Sequence, residues 1–183
     1  MKMILAATLL GILMHAFAKE CELMPPAENF DSDKYFNIPH VYVTYSKNGP
    51  QEKVCREYKT TKNSDGTTNT EVIVKTGGQQ QKTVLTCTNK EKNGKPGQYS
   101  VECEVPNGNH KIQLETSVFA TDNKNYALLQ SCNKDGKSDY DIFVLQTNKD
   151  VVDPGVTSAF NLAKWSLKDW VSRSNVDCNN IQN

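Results

Sequence analysis

Six cysteines are the residues whose chemistry is easiest to assign from type and number alone. An even number of cysteines behind a secretory signal is typical of disulfide bonds, because secreted proteins mature in oxidising compartments. No metal-ligand spacing accompanies them, so neither a metal site nor a catalytic thiol is indicated. We therefore predict three disulfides, formed by Cys21, Cys55, Cys87, Cys103, Cys132 and Cys178.

His40 and His110 are the only histidines outside the predicted signal segment. His40 follows Pro39 and His110 adjoins a predicted turn, and neither has a Ser, Asp or Cys partner nearby in the sequence. Nucleophilic catalysis needs such a partner within hydrogen-bond reach. The sequence therefore predicts neither an enzyme nor a metal or cofactor site.

Residues 1–18 have the three parts of a secretory signal peptide. Lys2 gives the positive start, Ile4 to Met14 is almost wholly apolar, and Ala16-Phe17-Ala18 supplies a small-x-small cleavage site. The apolar run is shorter than the roughly 20 residues of a transmembrane helix. We expect a secreted protein whose single domain comprises residues 19–183.

The charge of the chain is balanced, with 21 basic and 21 acidic residues. A partner such as nucleic acid or an anionic membrane would require a basic excess, so neither is expected. Nothing in the sequence indicates an oligomer, and we expect a monomer.

Short runs rich in Val, Ile, Thr and Tyr alternate with turn residues from Pro39 to Thr147, which predicts antiparallel strands. Closure into a barrel would remove the exposed edges, but a two-sheet sandwich gives much the same pattern. The predicted strands are His40–Ser46, Lys53–Thr60, Thr68–Lys75, Lys82–Thr88, Gln98–Val105, Lys111–Phe119, Asn125–Cys132 and Tyr140–Thr147.

The C-terminal stretch has the periodicity of a helix rather than of a strand. Asp153 is placed to cap the helix and Pro154 to begin it. Ser166 with Asp169 indicates a second helix start, so two short helices are an alternative to one. We expect the apolar face to pack on the outside of the barrel wall, with its residues at Val156, Phe160, Ala163, Leu167 and Trp170.

Cys87 and Cys103 lie on consecutive predicted strands, equally far from Lys95 in a turn rich in Gly and Pro. They should face each other across a hairpin, at a distance that a disulfide can bridge. Cys21 and Cys178 lie near the two ends of the chain and should tie them to the sheet. Which of them pairs with Cys55 and which with Cys132 is left open by spacing.

Arg56 is one of two arginines in the chain, and its neighbour Cys55 decides where it points. If Cys55 faces outward to meet a terminus, then Val54, Arg56 and Tyr58 face inward, because side chains alternate along a strand. A buried guanidinium needs an anionic partner and suits a ligand carboxylate. The alternative is a surface salt bridge, with Glu57 or with an acid on a neighbouring strand. Gln146 on the last strand offers a second polar group.

Longer stretches resemble the salivary lipocalins of blood-feeding triatomine bugs, the triabin family, and in particular its platelet-aggregation inhibitors. The matching stretches cover nearly the whole chain. They include Cys21-Glu-Leu-Met-Pro-Pro, Lys34-Tyr-Phe-Asn-Ile-Pro-His-Val-Tyr-Val-Thr, Cys55-Arg-Glu-Tyr-Lys-Thr-Thr-Lys-Asn-Ser-Asp-Gly, Tyr99-Ser-Val-Glu-Cys-Glu-Val-Pro-Asn-Gly and Asn125-Tyr-Ala-Leu-Leu-Gln-Ser-Cys.

The resemblance implies an all-β fold, an eight-stranded antiparallel lipocalin-like barrel with a C-terminal α-helical segment. It implies the disulfides Cys21–Cys132, Cys55–Cys178 and Cys87–Cys103. It also implies that this secreted salivary protein binds a small hydrophobic anion, the eicosanoid thromboxane A2, and so inhibits platelet aggregation. The haem-binding relatives need a histidine that the strand Lys82–Thr88 does not have.

The chain departs from the general lipocalin pattern in its first strand. The Gly-x-Trp signature is replaced by Pro39-His40-Val41, which leaves the closed end of the barrel without its usual tryptophan. If Val41 takes the inward position, Val43 and Tyr45 share its face. We therefore expect a ligand site formed by Arg56, Tyr58, Gln146, Val43 and Tyr45.

Two other functions are compatible with the sequence. The protein could use its surface to inhibit a host haemostatic protein, such as thrombin or a contact-phase factor, which would require an exposed patch at the barrel mouth. Capture of a biogenic amine would require an inward Asp or Glu instead of Arg56.

Overall fold

The computed structural model describes residues 21–49, 54–76, 82–106, 108, 110–134 and 140–173. The predicted signal peptide and Cys178 lie outside these residues. The chain forms β1 (Val41–Ser46), β2 (Val54–Lys62), β3 (Thr68–Thr76), β4 (Thr83–Lys92), β5 (Lys95–Glu104), β6 (Lys111–Thr121), β7 (Tyr126–Asn133), β8 (Tyr140–Gln146) and β9 (Val171–Ser172). The helices are α1 (Ser32–Phe36), α2 (Pro154–Ala163) and a 3-10 turn (Leu167–Asp169).

Strands β1 to β8 form an antiparallel meander that closes on itself. Each strand pairs with the next, and β8 returns to β1 through pairs such as Val43 with Leu145. Closure is completed by β1 and β2, which pair at Val41 with Tyr58 and at Tyr42 with Glu57. The barrel prediction is confirmed over the sandwich alternative. Strand β9 was not predicted, and it pairs with the end of β1.

The hairpin of β4 and β5 places Cys87 directly opposite Cys103, as predicted. Its turn, however, lies at Asn93 and Gly94, and Lys95 already belongs to β5. The reason is a register shift next to Glu91, which moves the turn toward the Asn-Gly pair. Asn-Gly favours a tight hairpin turn because its backbone adopts positive φ at little cost, and φ is 69° at Gly94.

Helix α2 begins and packs as the sequence predicts. The Asp153 carboxylate accepts a hydrogen bond from Gly155 N (2.7 Å), and Pro154 occupies the first turn. The helix ends at Lys164, whose φ of 55° is left-handed, and a separate 3-10 turn follows. Two short helices are therefore present rather than one. No helix among the described residues is long and apolar enough to cross a membrane.

Helix α2 covers the outer face of β7 and β8. Its buried residues Val156 and Phe160 belong to one cluster with Leu128, Ile142, Val144 and Trp170. The Phe160 ring lies 4.7 Å from that of Trp170, centre to centre. This confirms the packing predicted for Val156, Phe160, Leu167 and Trp170 on the outside of the barrel wall, whereas Ala163, predicted on the same face, is exposed.

The segment that precedes α1 is tied to the outer face of β5, β6 and β7. Met24 N donates to Gln130 Oε1 (2.6 Å), and Met24 O accepts from Gln98 Nε2 (3.1 Å) and Ser117 Oγ (2.7 Å). These three polar side chains are buried, so their hydrogen bonds offset the cost of removing them from water. The disulfide Cys21–Cys132 adds a covalent tie to β7.

Candidate ligand-binding cavity

The barrel encloses a cavity of about 320 Å³. This volume lies within the range of small-ligand pockets, roughly 300–1,000 Å³. Alternate side chains of strands β1 to β8 point inward, and most of those that line the cavity are apolar. Apolar side chains in the wall include Val41, Val72, Val74, Leu85, Val101, Ile112, Leu114, Leu129, Phe143 and Leu145.

One end of the cavity, which we call the floor, is closed by aromatic side chains. Tyr35 and Phe36 come from α1 and meet Phe30 and Tyr99, with ring centres 5.0 Å apart for Tyr35–Phe36 and 5.3 Å for Phe36–Tyr99. Gly97 lies against Phe30. Glycine is favoured at this position because its φ is 87° and because a Cβ would lie only 3.3 Å from the Phe30 ring. These four rings, Phe30, Tyr35, Phe36 and Tyr99, form an aromatic plug. The plug fills the end of the barrel where the usual lipocalin tryptophan is missing.

Sequence reasoning missed helix α1 and, with it, the plug. The helix has only five residues, so no helical periodicity can be read from it. A signal was nevertheless present, because Asp31 caps the helix by accepting a hydrogen bond from Lys34 N (3.1 Å). Asp33 of the same helix forms a solvent-exposed salt bridge with Lys62 at the end of β2.

Arg56 lines the cavity toward the opposite end, which we call the mouth. It stands near the start of β2, and its guanidinium carbon lies 5.6 Å from the centre of the Phe143 ring. The Arg56 Nε is buried without a hydrogen-bond partner, and no described carboxylate forms a salt bridge with this side chain. The alternative, a surface salt bridge between Arg56 and Glu57, is wrong. Glu57 Oε1 instead lies 4.0 Å from Lys75 Nζ.

Tyr58 lines the cavity two residues further along β2. Burial raises the pKa of Tyr58, whereas the charge of the neighbouring Arg56 and a hydrogen bond with the Arg56 side chain act in the opposite direction. Burial also raises the pKa of Tyr35 on the floor, with a smaller contribution from Tyr58. Both phenols therefore keep their protons at neutral pH and can act as hydrogen-bond donors. The inward facing predicted for Arg56 and Tyr58 is found, and their contact with a ligand stays a prediction.

A second polar group in the wall differs from Arg56, because its hydrogen bonds are already made. The hydroxyls of Thr60 and Thr70 are 2.8 Å apart, and Asn89 Nδ2 donates to Thr70 Oγ1 (2.9 Å) and to Thr68 O (3.1 Å). These side chains bridge β2, β3 and β4 near the floor. They are satisfied without a ligand and have little hydrogen-bonding capacity to offer one.

The predicted inward facing of Tyr45 is wrong. The pairing of β1 with β8 shifts by one residue between Val43 and Tyr45, so Thr44 is an extra residue on β1. Such a bulge reverses the alternation beyond it. Tyr45 consequently packs with the outer cluster beneath α2, whereas Val43 faces inward and packs with Val118 and Phe143 without reaching the cavity.

The predicted role of Gln146 in the cavity is also wrong, because this side chain faces outward. Gln146 Nε2 donates to Thr44 Oγ1 (2.8 Å), and Gln146 Oε1 accepts from Asp153 N (2.6 Å). Leu145, its neighbour on β8, takes the inward position. Gln146 thus anchors the start of α2 to the barrel wall.

Two of the implied disulfides are present. Cys21 is bonded to Cys132, and Cys87 is bonded to Cys103 on the inner wall, where both cysteines line the cavity. Cys55 is also disulfide-bonded, but Cys178, its implied partner, lies outside the described residues. The framework therefore ties the start of the chain to β7 and links β4 to β5.

A closed eight-stranded barrel with an apolar cavity and a helix on its outer wall defines a lipocalin-type fold. Solved structures agree. A biogenic amine-binding protein superposes with a TM-score of 0.75 at 18% identity, over 89% of this chain and 90% of that chain. An LTBP1–leukotriene C4 complex superposes with a TM-score of 0.61 at 20% identity, over 80% and 90%. At such identities the likeness concerns the fold alone.

The family follows from sequence comparison. The family model described as Triabin matches residues 18–159, and the chain belongs to this family. Pallidipin of Meccus pallidipennis is 66% identical over 100% of both chains. Dipetalodipin of Dipetalogaster maximus is 62% identical over 97% of this chain and 100% of its own. Platelet inhibitor triplatin-2 of Triatoma infestans is 46% identical over 97% of this chain and 100% of its own.

Proposed function

We propose that this protein is secreted in saliva and inhibits platelet aggregation by sequestering an eicosanoid, thromboxane A2 or a close relative, in its barrel cavity. The name of the relative platelet inhibitor triplatin-2 supports the physiological part of the proposal. The disulfides Cys21–Cys132 and Cys87–Cys103 suit an oxidising, extracellular setting. The protein acts as a binder rather than as an enzyme.

The observation that carries the proposal is the state of Arg56. Its guanidinium lies in an apolar cavity, its Nε has no hydrogen-bond partner, and no described carboxylate pairs with it. Arg56 as a whole is half-buried. Removing part of a cation from water without a counterion is costly, and a carboxylate in the cavity would offset that cost with charge-assisted hydrogen bonds. A fatty-acid-like anion supplies such a carboxylate together with a hydrocarbon chain for the apolar wall.

The same wall disfavours a biogenic amine as the ligand. An ammonium group needs a carboxylate partner when it is removed from water. None of the described residues that line the cavity is Asp or Glu, whereas Arg56 would repel a cation. The charge of the site is therefore opposite to the one that amine capture requires.

Isothermal titration calorimetry with a stable thromboxane mimic tests the proposal. We expect binding by the unchanged protein, and Arg56→Gln should weaken it about 10- to 100-fold, since hydrogen bonds to a charged group contribute about 1.5–3 kcal/mol. Lys59→Gln is the matched control, because Lys59 lies exposed on the same strand. The absence of any heat of binding, together with inhibition of thrombin, would support the alternative of a protease inhibitor.

A further inference from the structure

Three polar groups are arranged along the cavity from mouth to floor. Arg56 is near the mouth, Tyr58 follows it on β2, and Tyr35 lies beyond them on the floor helix α1. Strand geometry separates the backbones of Arg56 and Tyr58 by about 7 Å, since the rise is about 3.3 Å per residue. A chain-like ligand held by Arg56 would therefore pass both phenols on its way to the floor.

Tyr35 and Tyr58 are neighbours at the floor end of the cavity. Both pack against the cluster of Val43, Val118 and Phe143, and Tyr58 pairs with Val41, which lies shortly after α1 in the chain. The charges of the two phenolates would repel each other, which agrees with this proximity. Tyr35 and Tyr58 are thus adjacent in the wall, which also contains Thr60, Thr70 and Asn89, whose hydrogen bonds are already made.

The half-buried side chain of Tyr35 lines the cavity, and its hydroxyl has no hydrogen-bond partner among the described residues. Tyr99, another tyrosine of the same aromatic plug, differs in this respect. Its hydroxyl donates to Glu91 Oε1 at 3.2 Å and is therefore satisfied by the protein. A buried phenol normally finds a partner, so the Tyr35 hydroxyl is available for a ligand oxygen.

We propose that Tyr35, together with Tyr58, forms a second polar contact of the cavity, which binds an oxygen atom in the ring or tail of the ligand. The contact selects oxygenated fatty acids, those with a hydroxyl or ether oxygen away from the carboxylate, over fatty acids with a plain hydrocarbon tail. The proposal rests on the proposed function, because Arg56 must hold the carboxylate for the tail to reach the floor.

The selection has a simple physical reason. A plain hydrocarbon tail would displace water from Tyr35 and leave its hydroxyl without a partner, which costs more than a normal hydrogen bond yields. The Tyr58 hydroxyl would keep its hydrogen bond with the Arg56 side chain. Sites that hydrogen-bond a ligand hydroxyl discriminate well against analogues that lack it. The carboxylate contact is shared by both kinds of ligand and contributes nothing to the choice between them.

The test compares two ligands that share a carboxylate and a similar length, a stable thromboxane mimic with ring and hydroxyl oxygens and arachidonic acid without them. We expect the unchanged protein to bind the mimic at least about tenfold more tightly. Tyr35→Phe keeps the ring of the plug and should weaken binding of the mimic about five- to tenfold. Binding of arachidonic acid should stay the same or tighten, which also shows that the variant is folded.

Tyr99→Phe is the matched control and should leave both affinities unchanged, because its hydroxyl is already bound to Glu91. An unchanged affinity ratio in Tyr35→Phe, or an equal loss for both ligands, would overturn the selective contact while leaving the proposed function intact. If the unchanged protein binds neither ligand, the proposed function fails, and the inference fails with it.

Discussion

Buried polar side chains on the two faces of the barrel wall differ in whether the protein supplies their hydrogen-bond partners. On the outer face, Gln98, Gln130 and Gln146 each bond to a segment that crosses the wall, either the N-terminal stretch or the start of α2. On the inner face, Thr60, Thr70 and Asn89 bond to one another, but the Arg56 Nε and the Tyr35 hydroxyl have no partner among the described residues. The difference separates roles, because the satisfied groups stabilise the fold and the unsatisfied ones are available for a ligand.

The comparison predicts that changes on the outer face affect stability and leave ligand affinity unchanged. Phe160→Ala should have the largest effect, because this ring is 3% exposed and packs against Trp165 and Trp170. We expect the free energy of unfolding to fall by about 3–5 kcal/mol. Urea denaturation measures it, with Asn161→Ala on the exposed side of the same helix as the control. A loss of ligand affinity in the folded variant would break the separation of the two faces.

Gln146→Leu tests the same separation at a residue that sequence reasoning had assigned to the ligand. The change leaves Thr44 Oγ1 and Asp153 N without their partner. We expect a loss of about 1–3 kcal/mol in the free energy of unfolding and no change in affinity. Gln113→Leu, exposed on β6, serves as the control. Weaker ligand binding by the folded Gln146→Leu protein would contradict the outward facing.

The stability of the protein at alkaline pH tests the burial of the tyrosines on the inner face. Burial raises the pKa of Tyr35 and Tyr58 in the folded chain, while the tyrosines of the unfolded chain lose their protons near pH 10, roughly the unperturbed value. The folded state therefore binds more protons than the unfolded state above about pH 10, and stability should fall as pH rises there.

Each such tyrosine contributes at most about 1.4 kcal/mol per pH unit to that fall. Denaturation from pH 9 to pH 11 should show the decline, and Tyr35→Phe should make it shallower. A decline of equal steepness in Tyr35→Phe would mean that this phenol is not buried as described.

The fold was largely accessible from sequence because its signals are local. Strand alternation, the turn residues between strands, and Asp153 with Pro154 each act within a few residues. The inward facing of Arg56 was accessible too, because β2 pairs with β3 without interruption from Val54 to Lys62. Alternation counted from Cys55 therefore remained valid.

The errors arise where a distant contact decides a local structure. The bulge at Thr44 is visible only in the pairing of β1 with β8, and it moved Tyr45 to the outer face. Strand β9 has two residues and exists through its pairing with Tyr45 and Ser46. Helix α1 is too short for periodicity, so its only sequence signal was the capping residue Asp31, and the aromatic floor with Tyr35 was missed.

The central claim is that Arg56 binds the carboxylate of the ligand, and a comparison of the thromboxane mimic with its methyl ester tests it most directly. Calorimetry of both compounds with the unchanged protein and with Arg56→Met forms a double-mutant cycle. We predict that the unchanged protein binds the free acid about 10- to 100-fold more tightly than the ester. Arg56→Met should bind both compounds equally. Equal binding of acid and ester by the unchanged protein, or a preference for the acid that survives in Arg56→Met, would contradict the account.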